Sequence, residues 1–232
     1  MKRNQSGFTL IEIAIVLVII GLLLGGVLKG QELINSAKVK NLATDFKNIP
    51  VFIYGYQDKF KALPGDQTQA ALDLQFPPAN TATAATTVAT LANGVINGNW
   101  NATTTASESF VFWQHVRLAG LAPGPTDTTV TNYLPTNAAG GTIGIQSGTT
   151  VVANSPLLGS AGANPIRGSY VICSSGILGK YVKQLDTTMD DGNTATGSMM
   201  ATPVTGYTIG TSIATATNSI NDSDTYIVCY GV

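Results

Sequence analysis

The distribution of apolar residues along this chain changes sharply after residue 28. Between residues 8 and 28 nearly every position is apolar, and Glu12 is the only charged residue of that stretch. At a rise of about 1.5 Å per residue, a helix over this stretch would be roughly 30 Å long, which is enough to cross the hydrocarbon core of a bilayer. The pattern therefore predicts an N-terminal membrane helix.

From residue 29 to residue 60 the apolar residues recur at spacings of three and four, as along one face of an amphipathic helix. They are Leu33, Ala37, Val39, Leu42, Phe46 and Ile49. We therefore predict one long helix over residues 8–60, apolar all round in its first half and on one side in its second. Pro50 is expected to kink or restart this helix, because proline removes one helical hydrogen bond.

Beyond a turn signal at residues 62–66, the chain is predicted to form a separate head. Residues 77–109 are rich in Thr, Ala and Asn and are expected to be an exposed loop region with room for a short helix, and residues 107–121 are expected to be helical. Short β-branched and aromatic runs then predict strands at 143–145, 151–152, 170–173, 207–209 and 226–230. Turns between them favour an antiparallel sheet laid on the long helix, which gives an α+β fold.

Composition and charge narrow the class of function. Only 11% of the 232 residues are charged, and the formal net charge is −1. This balance is not that of a protein that binds a polyanion, so nucleic acid is not an expected partner. The lone histidine, His115, has no nucleophile near it in sequence and is expected to be structural. No nucleotide-binding loop or catalytic triad is recognisable, so no enzymatic activity is predicted.

The first seven residues form a short basic segment that ends in Gly7, directly before the apolar stretch. Lys2 and Arg3 are expected to keep this segment in the cytoplasm. A secretory signal peptide would instead carry its small-residue cleavage site after the apolar core. Cleavage after Gly7 would leave the apolar helix on the mature chain and create an α-amino group on Phe8. A carboxylate deep in lipid costs about 2.5 kcal/mol or more without a partner, and this amine would lie four residues from Glu12.

The sequence Gly-Phe-Thr-Leu-Ile-Glu at residues 7–12 resembles the processing site of type IV pilins and type II secretion pseudopilins. The resemblance implies that a prepilin peptidase cuts between Gly7 and Phe8 and that the new N-terminus is methylated. It also implies that Glu12 pairs with the N-terminal amine of a neighbouring subunit during assembly. The domains would then be a leader at 1–7, a long helix at 8–60 and a globular head at 61–232, as in the pilin fold.

The function implied by this resemblance is that of a structural subunit of a type IV pilus-like filament. The partners would be further copies of the chain, the prepilin peptidase and the assembly machinery. Before assembly the chain would cross the bacterial inner membrane once with its N-terminus in the cytoplasm, and afterwards it would lie in an extracellular pilus. The alternatives are a periplasmic pseudopilin of type II secretion and a minor pilin that acts in adhesion or DNA uptake.

The chain has two cysteines, Cys173 and Cys229. In an exported protein a lone pair is best explained by one disulfide, and two free buried thiols are the alternative. The resemblance favours the disulfide, because many type IV pilins close a C-terminal loop in this way. It also favours a pilin, because the major pseudopilins usually lack this bond.

One acidic cluster, made of Asp186, Asp190 and Asp191, is followed by Gly192 and Asn193. Carboxylate and amide oxygens are ligands that calcium prefers, so the three aspartates are a candidate calcium site. The spacing does not match the EF-hand loop, and an ordinary turn rich in Asp and Gly, without a metal, is the alternative. No other cofactor is predicted.

Overall fold

The computed structural model describes residues 9–77, 81–86, 91–162 and 164–232. The chain divides into two compact units, and the boundary between them falls within the first helix, between Lys38 and Val39. Gly7 and Phe8 lie outside the described residues.

Helix α1 spans Leu10–Phe60, in agreement with the predicted long helix. In the N-terminal unit, every large apolar side chain from residue 10 to residue 28 is exposed. Among the described residues, this is the one helix that is long and apolar enough to cross a membrane. The predicted apolar face is also exposed at Leu33, so burial along α1 begins only at Val39.

In the second unit, α1 buries one face: Val39, Leu42, Ala43, Phe46, Ile49, Ile53 and Tyr56. Of the two effects predicted at Pro50, the restart is wrong, because α1 continues through this residue without interruption, and the kink stays a prediction. The missing hydrogen bond at Pro50 is offset by the packing of its neighbours, since Ile49 and Ile53 are almost completely buried on either side of it.

Four strands form one antiparallel sheet in the order β1-β2-β4-β3. The strands are β1 Ile143–Ser147, β2 Tyr170–Leu178, β3 Met199–Pro203 and β4 Thr225–Gly231. Three predicted strands are confirmed as parts of β1, β2 and β4. The candidates at 151–152 and 207–209 are wrong, since Val151 is exposed before a 3₁₀ helix at Val152–Asn154 and Tyr207 precedes a turn.

Within its described residues, the second unit also contains three shorter α-helices: α2 Gln69–Gln75, α3 Glu108–Leu118 and α4 Gly179–Met189. Of these, only α3 is predicted by the sequence, within the helix expected at residues 107–121. In the structure α3 is buried from its first residue to Arg117, polar side chains included. The loop region before it is also less exposed than predicted, because Ala82, Ile96 and Trp100 are buried.

The sheet separates two apolar clusters, and neighbouring residues of its central strands alternate between them. Ile172 and Val228 face the larger cluster, which also contains the buried face of α1 and helix α3. Val171 and Ile227 belong to the smaller cluster on the other side, together with Trp100 and Leu157. Because both faces of the sheet are covered, β2 and β4 are apolar at successive positions rather than at every second one.

Candidate functional site

Thr9 and Glu12 form a reciprocal set of hydrogen bonds at the start of α1. The backbone N–H and the hydroxyl of Thr9 both donate to Glu12 Oε2, at 2.8 and 2.7 Å. The backbone N–H of Glu12 points back to Thr9 Oγ1 at 3.4 Å. This is the capping-box arrangement, in which the residue before a helix and the residue three positions later each satisfy the other's free N–H group.

Glu12 is one of the predicted site residues, whereas Thr9, its partner, is not. The signal was present in the sequence, because a Thr followed three residues later by Glu before an apolar run is the pattern of a capping box. The structure gives no geometry for the bond between Gly7 and Phe8, because these residues lie outside the described part. Their predicted roles in cleavage and methylation therefore stay predictions.

No charged residue lies between Glu12 and Lys29. Lys29 forms an exposed ion pair with Glu32, with 2.7 Å between Nζ and Oε2. The apolar stretch is thus bounded by a carboxylate at one end and by an ion pair at the other. This arrangement suits a segment whose ends lie near the two surfaces of a membrane.

Cys173 of β2 and Cys229 of β4 are directly opposite each other in the sheet. Their sulfur atoms are joined, their Cα atoms are 4.0 Å apart, and both side chains are completely buried. This geometry fits the predicted disulfide. The closed loop has a sequence separation of 56 residues and contains α4, the acidic cluster and β3.

The structure brings the three predicted metal ligands together, but not on a simple turn. Asp186 lies in the last turn of α4, while Asp190 and Asp191 follow that helix. One carboxylate oxygen from each of the three residues lies within 4.8 Å of the other two. Asp186 is 0% exposed, and neither of its carboxylate oxygens makes a hydrogen bond of ordinary geometry to the described residues. Burial, then the charges of Asp191 and Asp190, raise the pKa of Asp186 to about 7, and a smaller interaction with the backbone N–H of Gly192 opposes this rise.

The other two carboxylates are oriented by the connection to β3. Asp190 Oδ2 accepts a hydrogen bond from the backbone N–H of Met199, at 2.8 Å. Asp191 accepts hydrogen bonds from the Asn193 N–H and the Thr196 hydroxyl, at 2.8 and 3.0 Å. A Cβ atom at Gly197 would clash with the Asp190 carboxylate, so the turn closes on this group only because residue 197 is glycine.

Helix α3 also carries two buried ionisable groups with a strongly shifted pKa, His115 and Glu108. His115 Nδ1 accepts a hydrogen bond from the Gly65 N–H at 2.9 Å, and Nε2 lies 3.0 Å from the Thr83 carbonyl oxygen. Burial lowers the pKa of His115 to about 4. Glu108 Oε2 accepts a hydrogen bond from the Asn97 N–H at 2.7 Å, and Oε1 has no partner among the described residues. Burial raises the pKa of Glu108 to about 7.

A family profile described as the prokaryotic N-terminal methylation motif matches residues 2–28. The matched residues include the junction between Gly7 and Phe8, the Thr9–Glu12 capping box and the whole apolar stretch. No curated protein and no solved structure matches the chain. The long apolar helix and the antiparallel four-stranded sheet form an α+β fold that is pilin-like. At residues 2–28 the chain therefore carries the signal of type IV pilins and type II secretion pseudopilins.

Proposed function

We propose that this chain is a structural subunit of a type IV pilus-like filament. A prepilin peptidase removes residues 1–7 and methylates the new N-terminus at Phe8. Before assembly, α1 anchors the chain in the inner membrane. The chain then joins the filament through the same helix. The observation that carries this proposal is the methylation motif at residues 2–28, with the Gly7–Phe8 junction and Glu12 inside it.

Glu12 supplies the physical reason for ordered assembly. A carboxylate in an apolar environment must be paired or neutralised, and cleavage creates one new positive charge, the amine of Phe8. In a filament of staggered subunits, the amine of an incoming subunit reaches Glu12 of a subunit already in place. Because no other charge lies in the apolar stretch, this contact sets the axial register of the subunits.

The pairing of Cys173 with Cys229 supports a pilus over a type II pseudopilus, since the major pseudopilins usually lack such a bond. A minor pilin that takes up DNA is a weaker candidate. Beyond residue 61 the basic residues are Arg117, Arg167, Lys180 and Lys183. Arg117 is buried and donates to backbone carbonyl oxygens, so it cannot contact a phosphate. A binding surface for DNA needs several exposed basic side chains in one patch.

The decisive experiment measures the intact mass of the chain after co-expression with a prepilin peptidase. We expect the mass to correspond to loss of residues 1–7 and addition of one methyl group. A Gly7→Leu variant should keep the full mass, because the bulky side chain blocks the cleavage site. Gly21→Leu is the matched control, since a Cβ atom at this position would have no neighbouring atom within 4 Å in the described structure, and it should be cut normally. Filaments built from uncut chains would refute the proposal.

A further inference from the structure

The chain contains two Asn-Gly pairs four residues apart, and the structure places them in different surroundings. In an Asn-Gly pair the backbone nitrogen of the glycine can approach the side-chain amide of the asparagine, because glycine has no Cβ atom to hinder it. Asn93 and Gly94 are both exposed, and a Cβ atom at Gly94 would have no neighbour within 4 Å. Asn97 is half-buried, and a Cβ atom at Gly98 would overlap the Ser107 hydroxyl. Of the two pairs, the first has the room that a rearrangement of its backbone requires.

A buried carboxylate contacts the backbone nitrogen of Gly94. Asp66 Oδ2 accepts a hydrogen bond from the Gly94 N–H at 2.7 Å, and Oδ1 accepts one from the Asn93 N–H at 3.0 Å. Asp66 is 3% exposed, and the ion pairs of the described residues do not include it. An amide nitrogen becomes a nucleophile when it gives up its proton, and a carboxylate at hydrogen-bond distance is a general base that can accept this proton. Asp66 is thus positioned to activate the Gly94 nitrogen.

The side-chain carbonyl group of Asn93 is polarised by hydrogen-bond donors. The backbone N–H of Val95 donates to Asn93 Oδ1 at 2.9 Å, and Asn97 Nδ2 donates to the same oxygen at 3.4 Å. Attack on the Asn93 Cγ atom would place negative charge on this oxygen, and donors that already point at it stabilise that charge. The nucleophile, a base and the donors for the oxyanion therefore surround one amide group.

We propose that Asn93 is a site of self-catalysed deamidation in which Asp66 is the general base. The Gly94 nitrogen forms a bond to Cγ of Asn93 and passes its proton to Asp66. The bond between Cγ and the side-chain nitrogen then breaks, and this nitrogen takes the proton from Asp66 and leaves as ammonia. One water molecule opens the resulting succinimide ring, which gives aspartate or isoaspartate at residue 93. This inference concerns the head alone and does not rest on the proposed function.

The modification would change the charge of a region that already contains two buried carboxylates. The charge of Asp66 contributes to the raised pKa of Glu108, so these two groups interact. A third carboxylate at residue 93 would repel Asp66, and the extra backbone methylene of isoaspartate would move the Gly94 N–H away from it. We therefore expect deamidation to loosen the turn at residues 91–95.

Asn97 serves as an internal reference. Its Nδ2 donates to Glu108 Oε2 and to the Val95 carbonyl oxygen, each at 3.3 Å. Its backbone N–H also donates to Glu108 Oε2, at 2.7 Å. Rotation of the Asn97 side chain towards the Gly98 nitrogen would break the two side-chain bonds, so deamidation is expected to be slow at this residue.

The test incubates the full-length chain in mild detergent at neutral pH and samples it over several weeks. Peptide mass spectrometry, with fragmentation to separate residue 93 from residue 97, gives the fraction of each asparagine that is converted. In water labelled with heavy oxygen each product should gain one labelled atom, because water opens the succinimide. We expect Asn93 to convert about tenfold or more faster than Asn97 in the folded protein, and both to convert at similar rates in urea. Asn93 should convert at least as fast in the folded protein as in urea.

Asp66→Asn tests the general base, because an amide can accept a hydrogen bond but not the proton. We expect conversion at Asn93 to slow about tenfold or more, while the rate at Asn97 changes little. Asp127→Asn is the matched control, because Asp127 also accepts a hydrogen bond from a backbone N–H, that of Thr129. Tryptophan fluorescence checks that each variant is folded, and if Asp66→Asn does not fold, the comparison of folded wild type with wild type in urea decides.

The results that would overturn the proposal are specific. Equal rates at Asn93 and Asn97 in the folded protein would show that the two surroundings do not matter. Slower conversion of Asn93 in the folded protein than in urea would show that the site is not activated. Faster conversion in Asp66→Asn would show that the carboxylate protects the Gly94 nitrogen, and an equal loss of rate in Asp127→Asn would exclude a specific role for Asp66.

Discussion

The hydroxyl and the backbone N–H of Thr9 both donate to the same carboxylate oxygen of Glu12. The carboxylate on which the proposed assembly depends is therefore already hydrogen-bonded within its own chain. A neighbouring N-terminal amine must either join this arrangement at a free position of the carboxylate or displace Thr9 from it. Thr9 is thus expected to orient Glu12 before assembly, and its hydroxyl can be tested separately from the charge of Glu12.

We predict that Glu12→Ala abolishes filament assembly or reduces it severely, while cleavage, insertion into the membrane and folding of the head remain normal. The reason is that the incoming amine loses the one carboxylate in the apolar stretch. Thr9→Val should reduce filament yield less than Glu12→Ala, because only the hydroxyl donor is lost, and Thr9→Ser should be close to wild type. The measurement is the amount of sheared filament from cells that express only the variant.

A normal yield of filaments from Glu12→Ala, with no wild-type subunit present, would show that the pairing is not needed. Equal losses in Thr9→Val and Thr9→Ser would exclude the hydroxyl hydrogen bond as their cause. Intact mass of each variant serves as the control, since an uncut chain would fail to assemble for a different reason.

The disulfide between Cys173 and Cys229 is predicted to stabilise the head by about 4 kcal/mol, because it closes a long loop and restricts the unfolded chain. The double variant Cys173→Ala/Cys229→Ala should lose roughly this free energy of unfolding in denaturant titrations followed by tryptophan fluorescence. Peptide mapping of the exported wild-type protein without reductant should find the two residues linked. Two thiols that alkylate in the folded protein would contradict the prediction.

Acid is predicted to destabilise the head through His115. The ordinary pKa of 6.5 falls to about 4 in the folded state, so the folded protein binds fewer protons between these values than the unfolded chain does. The contribution of this neutral histidine to stability is thus complete above pH 6.5 and is lost as pH falls towards 4. His115→Gln should remove roughly 2–3 kcal/mol of the loss in unfolding free energy between pH 7.5 and 4.5. An unchanged pH dependence would show that His115 is not the titrating group.

Glu108 is predicted to act in the opposite direction. Its pKa rises from the ordinary value of 4.5 to about 7, so the folded state holds a proton that the unfolded chain releases. The stability that this neutral carboxyl contributes is complete below pH 4.5 and is lost as pH rises through 7. Relative to the wild type, Glu108→Gln should therefore gain roughly 2–3 kcal/mol between pH 5 and pH 8. Unfolding free energies of the two proteins at both pH values give this difference directly, and a constant difference would refute the prediction.

The features that the sequence by itself determined are those with a local signal. Helix α1 follows from a long apolar run and then from apolar residues spaced three and four positions apart. Both patterns are local, so they can be recognised without reference to the rest of the chain. The signal at residues 7–12 is equally local, because cleavage and capping depend on neighbours within one helical turn. Thr9 belongs to this class as well, because its hydrogen bonds join it to Glu12, only three residues away.

Tertiary structure decided the features that depend on partners distant in sequence. Val151 and Tyr207 have strand-forming side chains, yet no strand in the described part of the chain pairs with them, so they remain outside the sheet. The sequence around Asp186, Asp190 and Asp191 is typical of a turn. Asp186 nevertheless belongs to α4 and is buried, and its carboxylate makes no hydrogen bond of ordinary geometry within the described residues. Burial and strand pairing are set by packing across the whole head, and packing routinely overrides local preference because most of the stabilisation comes from distant contacts.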